Sequence, residues 1–153
     1  IQVEHEAVFT YNEAMKDYFH RYKFDGDFLL RKVFTKVLYQ KFQKYKDYQL
    51  VLIPLSKERL QQRGFNQVEG LIEGTGLSYY DIIDKKEVKA SSSMNRADRL
   101  QVENPFVIKE GVKIPEKILL FDDIYTTGKT IRLAAKLLQD KGIEDVKLFT
   151  VFR

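Results

Sequence analysis

The fold is decided by one stretch of the chain, ILLFDDIYTTGKT, at residues 118–130. Its four leading apolar residues predict a buried strand, and Asp122 and Asp123 stand at the carboxyl end of that strand. A loop rich in hydroxyl groups and glycine then leads into a helix. This order of strand, acidic pair, loop and helix is typical of a ligand-binding α/β protein, because open α/β sheets bind ligands outside the carboxyl ends of their strands.

The remaining chain predicts more strands and helices in alternation. Strands are predicted at residues 3–11, 49–54, within 79–88, at 117–121 and at 146–152. Helices are predicted after the N-cap candidates Asn12 and Asp27, at residues 65–74, and from about Thr130 to Gly142. Residues 89–104 are polar and predict a long loop. We therefore predict an α/β fold with a central, mostly parallel sheet and helices on both faces.

Length and composition limit the classes of protein that fit. A chain of 153 residues with 44% hydrophobic and 31% charged residues predicts a single domain, residues 1–153, with an N-terminal strand and basic helices (1–48) before a ligand-binding core (49–153). The longest apolar run, residues 50–55, is too short to span a membrane, and no secretion signal opens the chain, so we expect a cytoplasmic protein without membrane insertion. With no cysteine and two histidines, a cysteine-ligated zinc, a disulfide or a histidine-built metal site is not expected.

The loop after the acidic pair predicts a phosphate site. A helix N-terminus offers unpaired N–H groups and a positive dipole end, Gly128 lets the backbone approach a ligand, and Thr126, Thr127 and Thr130 add hydroxyl donors. Asp122 and Asp123 suit the two vicinal hydroxyls of a ribose, with or without Mg²⁺. The alternative is purely structural: the acidic pair caps the strand and the Thr-Thr-Gly segment makes a turn.

The same segment closely resembles the phosphoribosyl pyrophosphate (PRPP) motif of type I phosphoribosyltransferases. The resemblance implies that Asp122 and Asp123 hold the ribose hydroxyls at the catalytic centre, together with Mg²⁺. It also implies a phosphate- and ribose-binding loop, whose residues are Tyr125, Thr126, Thr127, Gly128, Lys129 and Thr130.

A second stretch resembles the ComF family, the ComFC/GntX-like proteins associated with competence and DNA uptake. The resemblance is carried by PLSKERLQQRGFNQ at residues 54–67, YKFDGD at 22–27 and NRADRL at 95–100. It implies a pyrophosphate-binding loop, with Ser56, Lys57, Glu58, Arg59 and Arg63 as its contacts. Two alternatives stay open, because Arg59 also suits a solvated surface position and residues 63–67 also suit a structural turn and helix cap.

This chain departs from the ComF pattern in two ways. The family usually carries an N-terminal zinc module built from four cysteines, and this chain has none. In the polar loop, which the resemblance predicts to be a mobile hood, Ser91 and Met94 replace the usual glutamine and leucine.

The N-terminal third of the chain is basic and carries several aromatic residues. Residues 16–46 hold nine basic and three acidic side chains, a local charge of +6 against +4 for the whole chain. Interleaved tyrosines with lysines are typical of single-strand binding, so Lys32, Lys36 and Lys41 are candidates for a DNA patch. The alternative is a solvated helix face.

Three functional hypotheses follow. The first is a ComF-type protein that binds PRPP or a related phosphoribosyl ligand, with single-stranded DNA and the helicase-like ATPase of DNA uptake as its partners. The second is an active phosphoribosyltransferase with a nitrogen acceptor, and the third is a PRPP-sensing module without turnover. The sequence shows no acceptor pocket, and although type I folds often form homodimers, it locates no interface.

Overall fold

A four-stranded parallel sheet forms the centre of the protein. The computed structural model describes residues 3–10, 12–24, 35–55, 60–61, 67–86, 104–125 and 127–153. The sheet strands are β1 (His5–Phe9), β2 (Gln49–Leu52), β5 (Lys117–Ile124) and β6 (Asp145–Phe152). Their order is β1-β6-β5-β2 and every pairing is parallel, which confirms the predicted α/β class and parallel sheet.

Four α-helices are described, and the start of the first follows directly from the sequence. The helices are α1 (Glu13–Phe24), α2 (Thr35–Phe42), α3 (Gln67–Glu73) and α4 (Lys129–Asp140), and a 3₁₀ turn (Gln43–Tyr45) extends α2. The Met15 N–H donates to Asn12 Oδ1 over 3.0 Å, so the predicted N-cap is confirmed. Asp27, the second predicted N-cap, lies outside the described residues.

Strand β5 separates two hydrophobic cores because its side chains alternate between the faces of the sheet. Leu119 and Phe121 pack with Leu38 and Phe42 of α2 and with residues of α3. Ile118 and Leu120 pack on the opposite face against α4, through Ile131, Ala134, Ala135 and Leu138. The predicted helices on both faces are therefore confirmed.

A short antiparallel hairpin lies beside the sheet and was not predicted in full. Strand β3 (Ile83–Lys85) falls within the predicted segment 79–88, but its partner β4 (Phe106–Ile108) was missed. Three residues are too few to show a strand periodicity. The hairpin is joined to α4, because the Asn104 side-chain amide donates to the Leu133 carbonyl over 2.5 Å. No helix in the described segments is both long and apolar enough to cross a membrane.

Candidate functional site

The two adjacent aspartates lie at the carboxyl end of β5, in the middle of the sheet. Asp122 pairs in register with Thr150 of β6, and its Oδ1 accepts the Asp123 N–H over 2.8 Å. Strand alternation places Asp122 on the same face as Leu120, the α4 side, and Asp123 on the α2 side. Asp122 is half-buried, whereas Asp123 is 3% exposed. Asp122 is therefore the more accessible of the two carboxylates, a distinction that the sequence does not reveal.

The predicted phosphate loop connects β5 to the N-terminus of α4. Gly128 is the N-cap residue with a left-handed φ of 77°, and Thr127, Lys129 and Thr130 are exposed around it. The Lys129 N–H donates to Thr127 Oγ1 over 3.3 Å, and the first turn of α4 holds no acidic residue. The helix end therefore presents N–H groups, hydroxyls and an ammonium group on one surface, which is the chemistry that an anion requires. Thr126 lies outside the described residues.

Tyr125 supports the loop from below. Its side chain is 9% exposed and its N–H donates to the Phe152 carbonyl over 2.9 Å. The His5 ring stacks on the Tyr125 ring with centroids 4.2 Å apart and an angle of 20° between the planes. Any Cβ at Gly128 would overlap the Tyr125 ring, so the glycine is required by this close approach as well as by its φ. The structure thus places Tyr125 under the loop rather than on its exposed surface.

His5 joins the first strand of the chain to this loop, and sequence reasoning missed it. Its Nε2 lies 2.9 Å from Thr150 Oγ1, across the β1–β6 pairing. Burial lowers the pKa of His5, and the positive charges of Arg153 and Arg132 lower it further, against a smaller opposing effect of Glu6. No signal in the sequence marks His5, because only the pairing of the first and last strands brings it to Tyr125.

Two arginines add positive charge beside the loop. The Arg132 and Arg153 guanidinium carbons lie 5.8 Å and 5.5 Å from the centre of the Tyr125 ring, within range of cation–π attraction. Both side chains are exposed. With Lys129 they place three cationic side chains around the N-terminus of α4.

The chain enters the predicted pyrophosphate loop from the same edge of the sheet. The Ile53 N–H donates to the Phe121 carbonyl over 3.1 Å, so β2 ends beside the residue that precedes Asp122. The candidate contacts Ser56, Lys57, Glu58, Arg59 and Arg63 lie outside the described residues. So do Ser91 and Met94 of the predicted hood.

Glu69 is a further acidic group near the carboxyl end of β2, and sequence reasoning did not select it. With Leu52, Pro54 and Asp81 it lines a cavity of about 30 Å³. Burial raises the pKa of Glu69, and the charges of Asp81 and Glu73 raise it further. A carboxyl group with a raised pKa is a candidate proton carrier. The sequence alone does not distinguish Glu69 from Glu73, which lies on the same helix.

Two of the three lysines of the predicted DNA patch, Lys36 and Lys41, lie within the described residues. Lys36 is exposed, whereas Lys41 is half-buried and its charge lowers the pKa of Glu6. The five-residue separation places these lysines about 140° apart around α2. Lys32 lies outside the described residues. Among the residues described, no group of three or more His, Cys, Asp and Glu side chains could hold a metal ion by itself.

We predict that Gly128→Ala destabilises the protein more than Gly111→Ala. Both glycines have left-handed φ values, 77° and 73°, so each substitution costs roughly 1–2 kcal/mol of backbone strain. Only at Gly128 does the new Cβ overlap another side chain, because nothing lies within 4 Å of it at Gly111. Urea unfolding of the two variants measures the difference. Equal losses would contradict the proposed contact with Tyr125.

We predict that His5 makes stability depend on pH below about 6.5. Its folded-state pKa is lowered from 6.5, so the unfolded chain takes up the proton first and the free energy of unfolding falls as the pH drops through this region. His5→Phe, which keeps a ring on Tyr125 but cannot titrate, should lose less stability than wild type between pH 7.5 and pH 5.5. His20→Gln, at an exposed position on α1, is the matched control for the loss of one histidine. Identical pH profiles for all three proteins would refute the prediction.

Comparison with known proteins gives three informative similarities. The chain is 60% identical over 153 residues to competence protein ComFC of Streptococcus pneumoniae, covering all of this chain and 70% of that protein. It is 36% identical over 154 residues to competence protein ComFC of Bacillus subtilis, covering 98% and 64% of the two chains. It is 25% identical over 159 residues to competence protein F of Haemophilus influenzae, covering 94% and 69%.

Two further comparisons are less informative. No protein-family model matches the chain. A solved hypoxanthine phosphoribosyltransferase from Staphylococcus aureus aligns with 78% of this chain and 61% of its own, at 17% identity and a TM-score of 0.41. That score is too low to define the fold, which rests here on the sheet topology.

Proposed function

Because the chain belongs to the ComFC family of competence proteins, we propose that it acts in competence and binds PRPP or a related phosphoribosyl ligand with Mg²⁺. The observation that carries the proposal is the arrangement at the carboxyl end of β5. There an accessible carboxylate, Asp122, is followed within six residues by a left-handed glycine at a helix N-terminus. A ribose 5-phosphate needs hydrogen-bond acceptors for its ribose hydroxyls and hydrogen-bond donors for its phosphate group. Asp122 and the N-terminus of α4 offer these two kinds of group one after the other along the chain.

Different groups of this site would bind the phosphate, the ribose and the pyrophosphate of the ligand. Thr127, Thr130 and the N-terminal N–H groups of α4 would hold the 5-phosphate, and the exposed Arg132 and Arg153 would add positive charge. Asp122 would accept hydrogen bonds from the ribose hydroxyls. The pyrophosphate would extend toward the loop after β2, where the sequence places Arg59 and Arg63.

Magnesium fits this site only together with the ligand. Mg²⁺ is usually bound through one or two carboxylates plus substrate phosphates and water, and Asp122 and Asp123 supply carboxylates of that kind. When bound, the ion would neutralise pyrophosphate charge. Asp123 is almost fully buried, so Asp122 is the residue that we expect to face the ion or the ribose.

The cellular setting is proposed on the same family membership. Because PRPP is an intracellular metabolite, we propose that the protein acts in the cytoplasm. Single-stranded DNA and the helicase-like ATPase of DNA uptake are the proposed macromolecular partners.

We predict that PRPP with Mg²⁺ raises the melting temperature of wild type by several degrees. A ligand at about 100 times its dissociation constant stabilises a protein by roughly 2.7 kcal/mol, and each kcal/mol shifts a domain of this size by about 2–4 °C. Asp122→Asn should abolish the shift while keeping the ligand-free melting temperature. Asp140→Asn, which removes an exposed carboxylate at the far end of α4, should keep the ligand-induced shift.

Two results of this melting experiment bear directly on the proposal. A shift that needs Mg²⁺ and exceeds that of inorganic phosphate alone would support a phosphoribosyl site. No shift in wild type with either ligand would overturn it.

Active phosphoribosyl transfer is the second candidate function, and Glu69 favours it. A carboxyl group with a raised pKa near the sheet edge could carry a proton to or from a nitrogen acceptor. In the transfer, the anomeric carbon would lose pyrophosphate and gain a bond to nitrogen. The described residues beside Glu69 enclose only about 30 Å³, far below the about 300–1,000 Å³ of sites that take a ligand such as a nucleobase.

We therefore predict no sustained pyrophosphate release from PRPP with common nucleobases. A coupled pyrophosphate assay with Mg²⁺ and each base in turn measures it. Release at ordinary enzymatic rates, lost in Glu69→Gln and kept in Glu73→Gln, would establish the transferase instead.

A further inference from the structure

A second cavity lies at the amino edge of the sheet, away from the phosphate loop. Its volume is about 350 Å³, within the range of about 300–1,000 Å³ that ligand sites occupy. Gln49 and Leu50, which begin β2, and Leu119 of β5 form part of its lining. Asp122 and Gly128 stand at the opposite, carboxyl edge. The cavity is therefore separate from the proposed phosphoribosyl site.

Four aromatic rings line this cavity, from Tyr39, Phe42, Tyr45 and Tyr48. Tyr39 is 46% exposed, and Phe42 is buried. Tyr45 and Tyr48 are held in place, because the Tyr45 hydroxyl donates to Glu6 and the Tyr48 hydroxyl donates to Asp145 over 2.7 Å. The two fixed rings stand edge to face with centroids 6.0 Å apart. A planar group that enters meets a preformed aromatic wall and loses little free energy in ordering it.

Polar and cationic groups accompany the rings. Gln43, Gln49 and Ser78 line the cavity and offer both donors and acceptors to the edge of a heterocycle. Lys46 lines it as well, and Lys36 lies one helical turn before Tyr39 on the same side of α2.

Further lysines surround the tyrosines. The ammonium groups of Lys147 and Lys117 lie 5.1 Å and 5.7 Å from the centre of the Tyr48 ring. Nearby acids offset part of this charge, since Lys147 pairs with Glu4 at 3.4 Å and Lys44 with Glu6 at 3.1 Å.

The distribution of these charges favours a polymer over a free nucleotide. The lysines form three groups: Lys36 on α2, Lys46 after the 3₁₀ turn, and the pair Lys117 and Lys147 beside Tyr48. Spaced cations around an aromatic cavity suit a backbone that runs across the mouth while one base enters.

We propose that this cavity takes a base of single-stranded DNA, stacked against Tyr39, with neighbouring phosphates near Lys36 and Lys46. The inference rests on the proposed DNA partner but not on the phosphoribosyl ligand. It keeps Lys36 from the candidates predicted from the sequence and adds Tyr39 and Lys46 of the same basic segment.

The test is the affinity of the full chain for fluorescently labelled oligo(dT) of about 15 nucleotides, measured by anisotropy at several salt concentrations. Base stacking on one aromatic ring is worth about 5- to 150-fold in affinity, so Tyr39→Ala should weaken binding by that factor. Tyr39→Phe, which keeps the ring, should bind like wild type. Tyr80→Ala is the matched control, because Tyr80 is 43% exposed and lies outside the cavity.

The salt dependence of the affinity distinguishes the contribution of base stacking from that of phosphate contacts. Tyr39→Ala should leave the slope of log affinity against log salt unchanged, whereas Lys46→Gln should reduce it by about 0.7, the value for one phosphate contact with a single strand. Comparable melting temperatures of the variants confirm that they are folded.

The possible outcomes distinguish this inference from the wider proposals. Binding by wild type that Tyr39→Ala leaves intact, or that Tyr80→Ala weakens equally, would overturn the cavity as the base site. A wild-type protein with no affinity for oligo(dT) would overturn both the cavity and the DNA partner. Neither result depends on the melting shift with PRPP, which tests the other edge of the sheet alone.

Discussion

Strand β5 is the constraint on which the rest of the structure depends. It pairs with β2 on one side and with β6 on the other, and its side chains enter both hydrophobic cores. Phe121 lies near Phe42 and Phe149, with ring centroids 5.5 Å and 6.0 Å away, so the strand also anchors the aromatic part of the core. A strand buried on both faces cannot slip by one residue without exchanging its two sets of apolar side chains. That fixed register determines where Asp122 and the phosphate loop stand.

This dependence explains how much of the fold could be predicted from the sequence. The apolar run before Asp122, the side chain of Asn12 and the helical spacing of Ile131, Ala134, Ala135 and Leu138 are local signals, and the structure bears each of them out. Strand β4 was missed because three residues carry too little pattern. The unequal burial of Asp122 and Asp123 was missed because it depends on which faces the helices cover. His5 was missed because 120 residues separate it from Tyr125, and no local pattern reports such a contact.

That distant contact lies directly beneath the proposed phosphate loop. A loop that binds an anion through backbone N–H groups must hold them in place before the ligand arrives, since any ordering on binding reduces affinity. Tyr125 fills the space under Gly128, His5 stacks on Tyr125, and Thr150 lies within hydrogen-bond distance of His5. A neutral His5 ring suits this position, because Arg132 and Arg153 already supply positive charge beside the same tyrosine. The first strand therefore supports the proposed site indirectly, through Tyr125.

The two proposed ligands would share one sheet while remaining energetically separate. The aromatic cavity opens on the α2 side at the amino edge, whereas Asp122 faces the α4 side at the carboxyl edge. Direct electrostatic coupling between them is weak, because charges in solvent more than about 8–10 Å apart are largely screened at physiological ionic strength. Coupling would instead require the sheet to change its packing, and β5 resists this because both of its faces are close-packed. The architecture would thus let the two proposed ligands, a DNA strand and a phosphoribosyl compound, bind together, each contributing its own free energy of binding.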